Sequence, residues 1–448
     1  MKKHNHAKAL EKLNEIGFRP FEQTELQTLF TELKNAIHIG ISRKGVPTSE
    51  DGGLLAFPTG VTPITQKDVE RIPEGTAAIV CACGGTNWIF TKATRGKNGT
   101  VKLAEPYVRP IPKNQRQHTF ASLTELFATE IFNVAQEYNL TETPNLPIAV
   151  SFGFPQTTVR TTNGDIDARV NRSNLPKFWK ITDCDESLPP EKQPSLSRLL
   201  RVALRKKGMK SIGRIVFVND TVAVALDVQH DGKDSKDLPV GFVFGTGTNA
   251  AMDGNSKKGI INLEAGHAKA MQADHVFEHM LKKKLVPGTI PVLEYWMGGG
   301  YLPARIAGAI WCMADYFADP KQMTKTILKN TNQALVSEIA QGVSPRKLGL
   351  HSGPSEYKTV SECARRTLIQ AGQVIGVMIA TVCAETGYTK GKVHVPYEGS
   401  LLNKGYLVEK TAQQTIHSLL PKSNIVPYKA CGMNGVAKLA MLLSQTKK

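Results

Sequence analysis

The chain has 448 residues, 41% hydrophobic and 21% charged, a length that favours two domains or one large two-lobed unit over a single small core. That balance excludes a disordered chain, a collagen-like fibre and a disulfide-stapled miniature, and the seven scattered cysteines read as reduced thiols of a cytoplasmic protein. The 56 basic against 39 acidic residues leave a formal charge of +17, which favours anionic partners without choosing among nucleotides, polyphosphate and nucleic acid. The basic clusters, such as Arg205-Lys206-Lys207 and Lys282-Lys283-Lys284, are short and dispersed, which argues against nucleic acid as the main partner. No apolar run of 18 or more residues predicts a membrane span, and the basic N-terminus lacks the apolar stretch of a secretory signal, so no membrane association is expected.

In chain order, apolar residues at helical spacing predict helix over 7–40, followed by a Gly-, Pro-, Ser- and Thr-rich loop over 41–75. Residues 77–91 and 101–108 read as antiparallel strands, broken at Gly84-Gly85-Thr86-Asn87 and at the turn Asn98-Gly99. Helix is expected over 120–138, strand over 146–154, helix over 196–207 and a buried strand over 214–218. A strand at 240–244 runs into Gly245-Thr246-Gly247-Thr248-Asn249, an echo of the turn at 84 that suggests two related halves. Residues 266–385 are mostly helical, 391–402 form a strand and turn, and helices follow over 405–420 and 435–445. The sum is a mixed α/β chain with its strands in two groups.

Both glycine turns follow a strand and carry Thr and Asn. Glycine leaves backbone N–H groups free to point at phosphate oxygens, and a threonine adds a hydroxyl; each turn alone would also serve as a tight hairpin. No P-loop and no helix-opening G-x-G-x-x-G is present. Asp220 ends an apolar strand beside Asn219, and reads equally as a general base for an attacking alcohol or as the cap of a helix over 221–228. Asn219, Asn249, Glu264 and Glu294 suit hydroxyl pairs of a polyol, although spacing alone leaves each a surface residue. His275 and His279 stand at i and i+4 without a third ligand and read as a solvated helix face, and Cys81 and Cys83 read as small core residues.

The order of these segments resembles the hexokinase family of sugar kinases, in its eukaryotic-type form, over nearly the whole chain. The matching stretches are 29–40 with Leu54-Leu55-Ala56-Phe57-Pro58-Thr59, Gly84 to Asn87, and Ser151-Phe152-Gly153-Phe154-Pro155. Val218-Asn219-Asp220-Thr221-Val222, Gly245 to Ala250, Ile261-Asn262-Leu263-Glu264 and Leu293-Glu294 with Gly300-Tyr301-Leu302 follow in order, then Glu398-Gly399-Ser400-Leu401 and Gly432-Met433-Asn434-Gly435 on the adenosine side. The resemblance implies a two-lobed, actin-like (duplicated RNase H-like) α/β fold around a sugar cleft. In it, 1–73 would begin the large domain, 74–220 form the small domain, 221–434 complete the large one, and 435–448 return as a helix towards the small one. It implies ATP with Mg²⁺ as donor, a hexose phosphorylated at its 6-hydroxyl, and a monomer or homodimer.

By the same resemblance Asp220 is the catalytic base, and Lys177, Asn219, Asn249, Glu264, Glu294, Phe154 and Pro155 bind the sugar. Gly84, Gly85, Thr86, Asn87, Gly245, Thr246, Gly247, Thr248, Ser400 and Gly432 hold the nucleotide. The departures are Ala82 where the family has an Asp that helps organise Mg²⁺, Ile89 for an Arg, Gly153 for the sugar-loop Ser, Pro176 for a Thr, and Cys431 for a Gly. They raise the alternative of a catalytically weak or inactive sugar sensor of the same fold, and the charge leaves other phosphoryl donors open.

Overall fold

The computed structural model describes residues 6–42, 54–84, 87–112, 116–170, 174–175, 179–229, 237–254, 258–268, 274–283, 291–329, 333–345 and 353–445. The continuous apolar run at 77 makes strand Ala77–Cys83 suited to the middle of a sheet covered on both faces. Its alternate residues divide between two cores. Ile79, Cys81 and Cys83 face helix Phe120–Glu137, while Ala78 and Val80 face the other side. This strand pairs antiparallel with Asn87–Arg95 and parallel with Leu146–Phe152, which in turn pairs parallel with Ile212–Val218. Strands Val101–Leu103 and Tyr107–Pro110 line the far edge of Asn87–Arg95, and the hairpin of Gln156–Arg160 with Ile166–Val170 completes an eight-stranded sheet.

The second sheet repeats the plan. Gly241–Phe244 pairs antiparallel with Thr248–Asp253 and parallel with Gly391–Glu398, which pairs parallel with Ser423–Lys429. Ile260–Asn262 follows on the antiparallel side and carries the short edge strand Phe57–Pro58. Within each sheet the order third-second-first-fourth-fifth therefore recurs, with a glycine turn between first and second strands both times. The echo between the two turns is a repeat of topology.

Each fifth strand feeds a helix, Asp220–Ala225 from the first sheet and Gly432–Gln445 from the second. The two helices meet between the sheets, where Val222, Ala223, Val436, Ala437 and Ala440 share a core with Val80, Val216 and Val218. The approach is so close that a Cβ on Gly435 would lie 2.0 Å from the Ala223 carbonyl oxygen, and one on Gly241 2.1 Å from that of Thr221. Glycine is required at both positions.

The larger core gathers around helix Pro354–Glu385, which passes beneath the second sheet's helices. By length and composition this helix is apolar enough to cross a membrane, with a mean hydropathy of 1.7 over its best window, although it contains no unbroken apolar run of 18 residues. Its most apolar window is 89% buried inside the protein.

Several boundaries differ from expectation. The helix expected over 7–40 is two, His6–Glu15 and Gln23–Ser42, parted at Gly17 in a left-handed conformation (φ 73°) with Pro20 beyond. The loop after it holds helix Gln66–Glu70, started by a capping box between Thr65 and Asp68. The strand over 101–108 is two short strands, and the helix at 221 begins one residue earlier, capped by Asn219 and not by Asp220.

Candidate active site

In each sheet the parallel strands end on the same side, and their carboxyl ends face a cleft of ≈ 830 Å³. From the first sheet come Ala82, Cys83, Gly84 and Asn87, then Gly153 and Pro155, then Asn219 and Asp220. From the second come Thr246, Gly247, Thr248 and Asn249, then Glu398, Gly399 and Ser400, then Lys429. Glu264 and Glu294 close the floor. Lys177, Gly85 and Thr86 lie outside the described residues.

Asn219 is buried and caps the Asp220 helix. Its Oδ1 accepts from the Thr221 amide (3.0 Å) and hydroxyl (2.6 Å), and its Nδ2 donates to the Phe154 carbonyl (3.4 Å). The cap is supplied next door, and Asp220 shares the Thr221 amide with it. Its carboxylate accepts from the Thr221 amide (2.8 Å) and reaches along the cleft wall, so that Oδ2 would lie 3.0 Å from a Cβ on Gly153. The Gly153 amide is tied to the Cys83 carbonyl (3.0 Å), which fixes the loop after the fourth strand to the first glycine turn.

Glu264 and Glu294 are each 8% exposed, which corrects the surface reading for both; each sits where a carboxylate is costly to bury without a task. Glu264 also has a left-handed backbone (φ 45°, ψ 48°), a conformation that costs a non-glycine residue about 1 kcal/mol or more and persists only where the surroundings impose it. Glu294 lies in the first turn of helix Val292–Met297, and with burial it pushes the Tyr301 hydroxyl upward in pKa.

The second glycine turn is held from behind. The Gly299 amide donates to the Gly245 carbonyl (2.9 Å), the Gly300 amide to the Thr246 carbonyl (2.9 Å), and the Thr248 hydroxyl to the Met297 carbonyl (3.2 Å). Thr246 is exposed to the cleft, whereas the Thr248 hydroxyl donates to the protein's own backbone. Two more of the expected site residues make contacts within the protein. The Phe154 ring packs in the first lobe's core against Phe152 (4.4 Å) and Trp179 (5.5 Å), so only its carbonyl serves the site. The Gly432 amide donates to Glu398 Oε2 (3.0 Å), and a Cβ at 432 would stand 2.9 Å from that oxygen. Gly432 thus makes room for a carboxylate.

Sequence reasoning passed over Glu398, although a carboxylate at the end of a buried parallel strand was a legible signal. Burial raises its pKa, the nearby Asp220 and Asp227 push the same way, and the Gly432 amide and Lys429 oppose them. It also passed over Thr221 and Asn262, buried polar residues that do not line the cleft but bond to residues that do. The two histidines form no site: His275 is exposed, His279 partly buried, and among the described residues no group of three or more His, Cys, Asp or Glu could hold a metal ion. Cys81 and Cys83 are core residues, and all seven cysteines are free.

No protein-family model matches the chain. Among curated proteins it is 26% identical to Hexokinase-1 of Rattus norvegicus over 213 residues, 44% of this chain and 21% of that one. It is 24% identical to Hexokinase-2 of the same organism over 241 residues, 50% of this chain and 24% of the relative. The matched stretches thus span less than a quarter of these relatives' length. In structure it superposes on the hexokinase from Schistosoma mansoni complexed with glucose with a TM-score of 0.77 and 16% identity, covering 98% of this chain and 99% of that one. A second hexokinase crystal structure gives 0.76 at the same identity and coverage. The chain thus shares its fold end to end with two hexokinases, and distant stretches of sequence with two more.

Proposed function

We propose that the protein is a hexose kinase that transfers the γ-phosphoryl group of ATP to the 6-hydroxyl of glucose or a related hexose, giving hexose 6-phosphate and ADP. The observation that carries this reading is the meeting, in one cleft, of Asp220 with a polyol-type set of amides and carboxylates and with two glycine turns. That a relative in fold is known in complex with glucose supports the choice of sugar. In this reading Asn219, Asn249, Glu264 and Glu294 hold the sugar hydroxyls, and Asp220 takes the proton of the 6-hydroxyl as its oxygen attacks phosphorus. The new O–P bond forms as the bond to the β-phosphate oxygen breaks, and ADP leaves with that electron pair. Thr246 and the backbone of the two turns steady the phosphates, and closure of the lobes would keep water from the nucleotide.

The donor set in the cleft fits Mg²⁺, which leans on one or two carboxylates plus substrate phosphates and keeps several waters. Glu398, at the Gly399-Ser400 end, is the carboxylate that would hold it, and when bound the ion supplies charge neutralisation on the phosphoryl oxygens. The free thiols support a reducing, cytoplasmic setting.

The test is a coupled assay with ATP, Mg²⁺ and a panel of hexoses, run beside Asp220→Ala, with glucose binding followed by calorimetry. Removing a general base should cost about 100- to 10,000-fold in turnover while glucose still binds. Wild-type protein that neither binds nor phosphorylates any hexose sinks the proposal. A second reading, a sugar-binding sensor with weak or no turnover, is favoured by one observation: Ala82 and Ile89 put apolar side chains where the family resemblance expects charge. It predicts glucose binding with no product.

A further inference from the structure

The sugar-side residues are not independent of one another. Asn262, at the end of strand Ile260–Asn262, is 1% exposed and does not line the cleft, yet its amide joins most of them. Its Nδ2 donates to Glu264 Oε1 (2.8 Å), and its Oδ1 accepts from Asn249 Nδ2 (2.8 Å). Asn249 Nδ2 also donates to Asn219 Oδ1 (3.3 Å), and Asn249 Oδ1 accepts from the Ala265 amide (3.0 Å), just past the left-handed Glu264. An asparagine amide has one end that donates and one that accepts, so these partners fix its orientation, and it fixes theirs.

Resting on the sugar-site reading above, we propose that Asn262 is the positioning residue of that site, setting Asn249 and Glu264 in one frame with Asn219 so that hexose affinity depends on a side chain that does not touch the hexose. Residues that act through one amide lose affinity together, so their effects should fail to multiply. The isosteric Asn262→Asp keeps the accepting oxygen but sets a second oxygen where Nδ2 met Glu264. Two carboxylates at that separation cannot both ionise readily and share a proton. The other titratable groups of the cleft, Asp220, Glu294, Glu398, His267, Lys404 and Lys429, are common to wild type and variant, so the difference in their pH profiles belongs to the new pair.

The experiment is glucose titration by calorimetry, without nucleotide, on wild type, Asn262→Ala, Asn262→Asp, Glu264→Gln and the Asn262→Ala/Glu264→Gln double variant, with thermal midpoints recorded for each. Asn262→Ala and Glu264→Gln should each weaken glucose about ten-fold, and the double variant should be no more than about ten- to twenty-fold weaker than wild type. Asn262→Asp should regain affinity as pH falls from about 8 to about 5, a trend that a merely structural role would not produce and that wild type should lack. Wild-type affinity in Asn262→Ala, or losses that multiply to about 100-fold in the double variant, would overturn the inference while leaving the sugar site in place. Unchanged affinity in Glu264→Gln would instead remove the sugar-site reading itself. Should Asn262→Ala fail to fold, the pH profile of Asn262→Asp decides alone, and a flat profile counts against the proposal.

Discussion

The strand register gives the departures at positions 82 and 89 a common meaning. Ala82 lies directly opposite Ile89 across the antiparallel pair, and both line the cleft. An Asp and an Arg at these positions would be cross-strand neighbours, so the two charges that the family resemblance expects are missing as a unit, and neither strand is left with a lone charge. Directly opposed side chains sit about 5 Å apart. They would hold each other in place, and an electrostatic contact felt only in the transition state is worth about 3 kcal/mol, or a factor of about 100 in rate. Ala82→Asp/Ile89→Arg should therefore raise kcat about 100-fold, within the range of electrostatic contacts to a transferring group, and leave the KM for hexose nearly unchanged. Ala82→Asp alone should gain less, because its carboxylate would be half-buried against Ile89 without a partner. The assay is steady-state kinetics for ATP and hexose on both variants, with thermal unfolding as the control for folding. A folded double variant with the kcat of wild type would refute the reasoning, since the charge on the cleft wall would then not act on the phosphoryl group.

Two further outcomes follow from packing and burial. Asp274 caps helix His275–Lys282 through the Phe277 amide (2.6 Å) and accepts from the Tyr295 hydroxyl (3.2 Å), yet burial raises its pKa above the ordinary 3.8 despite the opposing charge of Arg305. The folded chain then holds a proton that the unfolded chain releases, so this group's contribution to stability is greatest at low pH and is lost as pH climbs from 3.8 through the raised value. Asp274→Asn should flatten that part of the denaturant-midpoint profile; an unchanged slope would show that Asp274 is not its source. Gly435→Ala should cost about 3 kcal/mol, because its Cβ would meet the backbone of Ala223 and Asp227 and not a side chain that can yield. A denaturation midpoint equal to wild type would show that the helices can part at no cost.

What could be read from the sequence was what local chemistry decides. The apolar runs at 77, 146, 212 and 241 specify strands buried on both faces, and the glycine turns at 84 and 245 mark where backbone rather than side chain must face the cleft. Glu264 and Glu294 were visible as candidates but not as buried, because their burial depends on segments far away in sequence. The split of the first helix at Gly17 was signalled by Gly and Pro and overridden by apolar spacing on either side. Thr248 read as a phosphate contact from its glycine turn, and Gly432 as a nucleotide contact from the family resemblance. Only the fold shows that Met297 takes the hydroxyl of one and Glu398 the amide of the other. Asn262 read only as part of the stretch 261–264: its meaning lies in the partners that meet its amide, Asn249 from the adjacent strand and Glu264 just past its own.

The doubled strand plan has a consequence for how a two-substrate reaction acquires direction. Two copies of one unit, meeting at like strand ends, would by themselves offer equivalent faces to two equivalent guests. A sugar and a nucleotide are not equivalent, so the copies must have diverged where they meet. The divergence is concentrated in the few residues after each fifth strand: the first copy turns through Asn219-Asp220, the second through Cys431-Gly432. One turn keeps a carboxylate of its own, and the other gives up its side chain to seat a carboxylate borrowed from the neighbouring strand. In the proposed reaction, acceptor and donor ends would thus be assigned by a handful of side chains on an otherwise repeated scaffold, and its direction would be a property of sequence laid over a symmetric architecture.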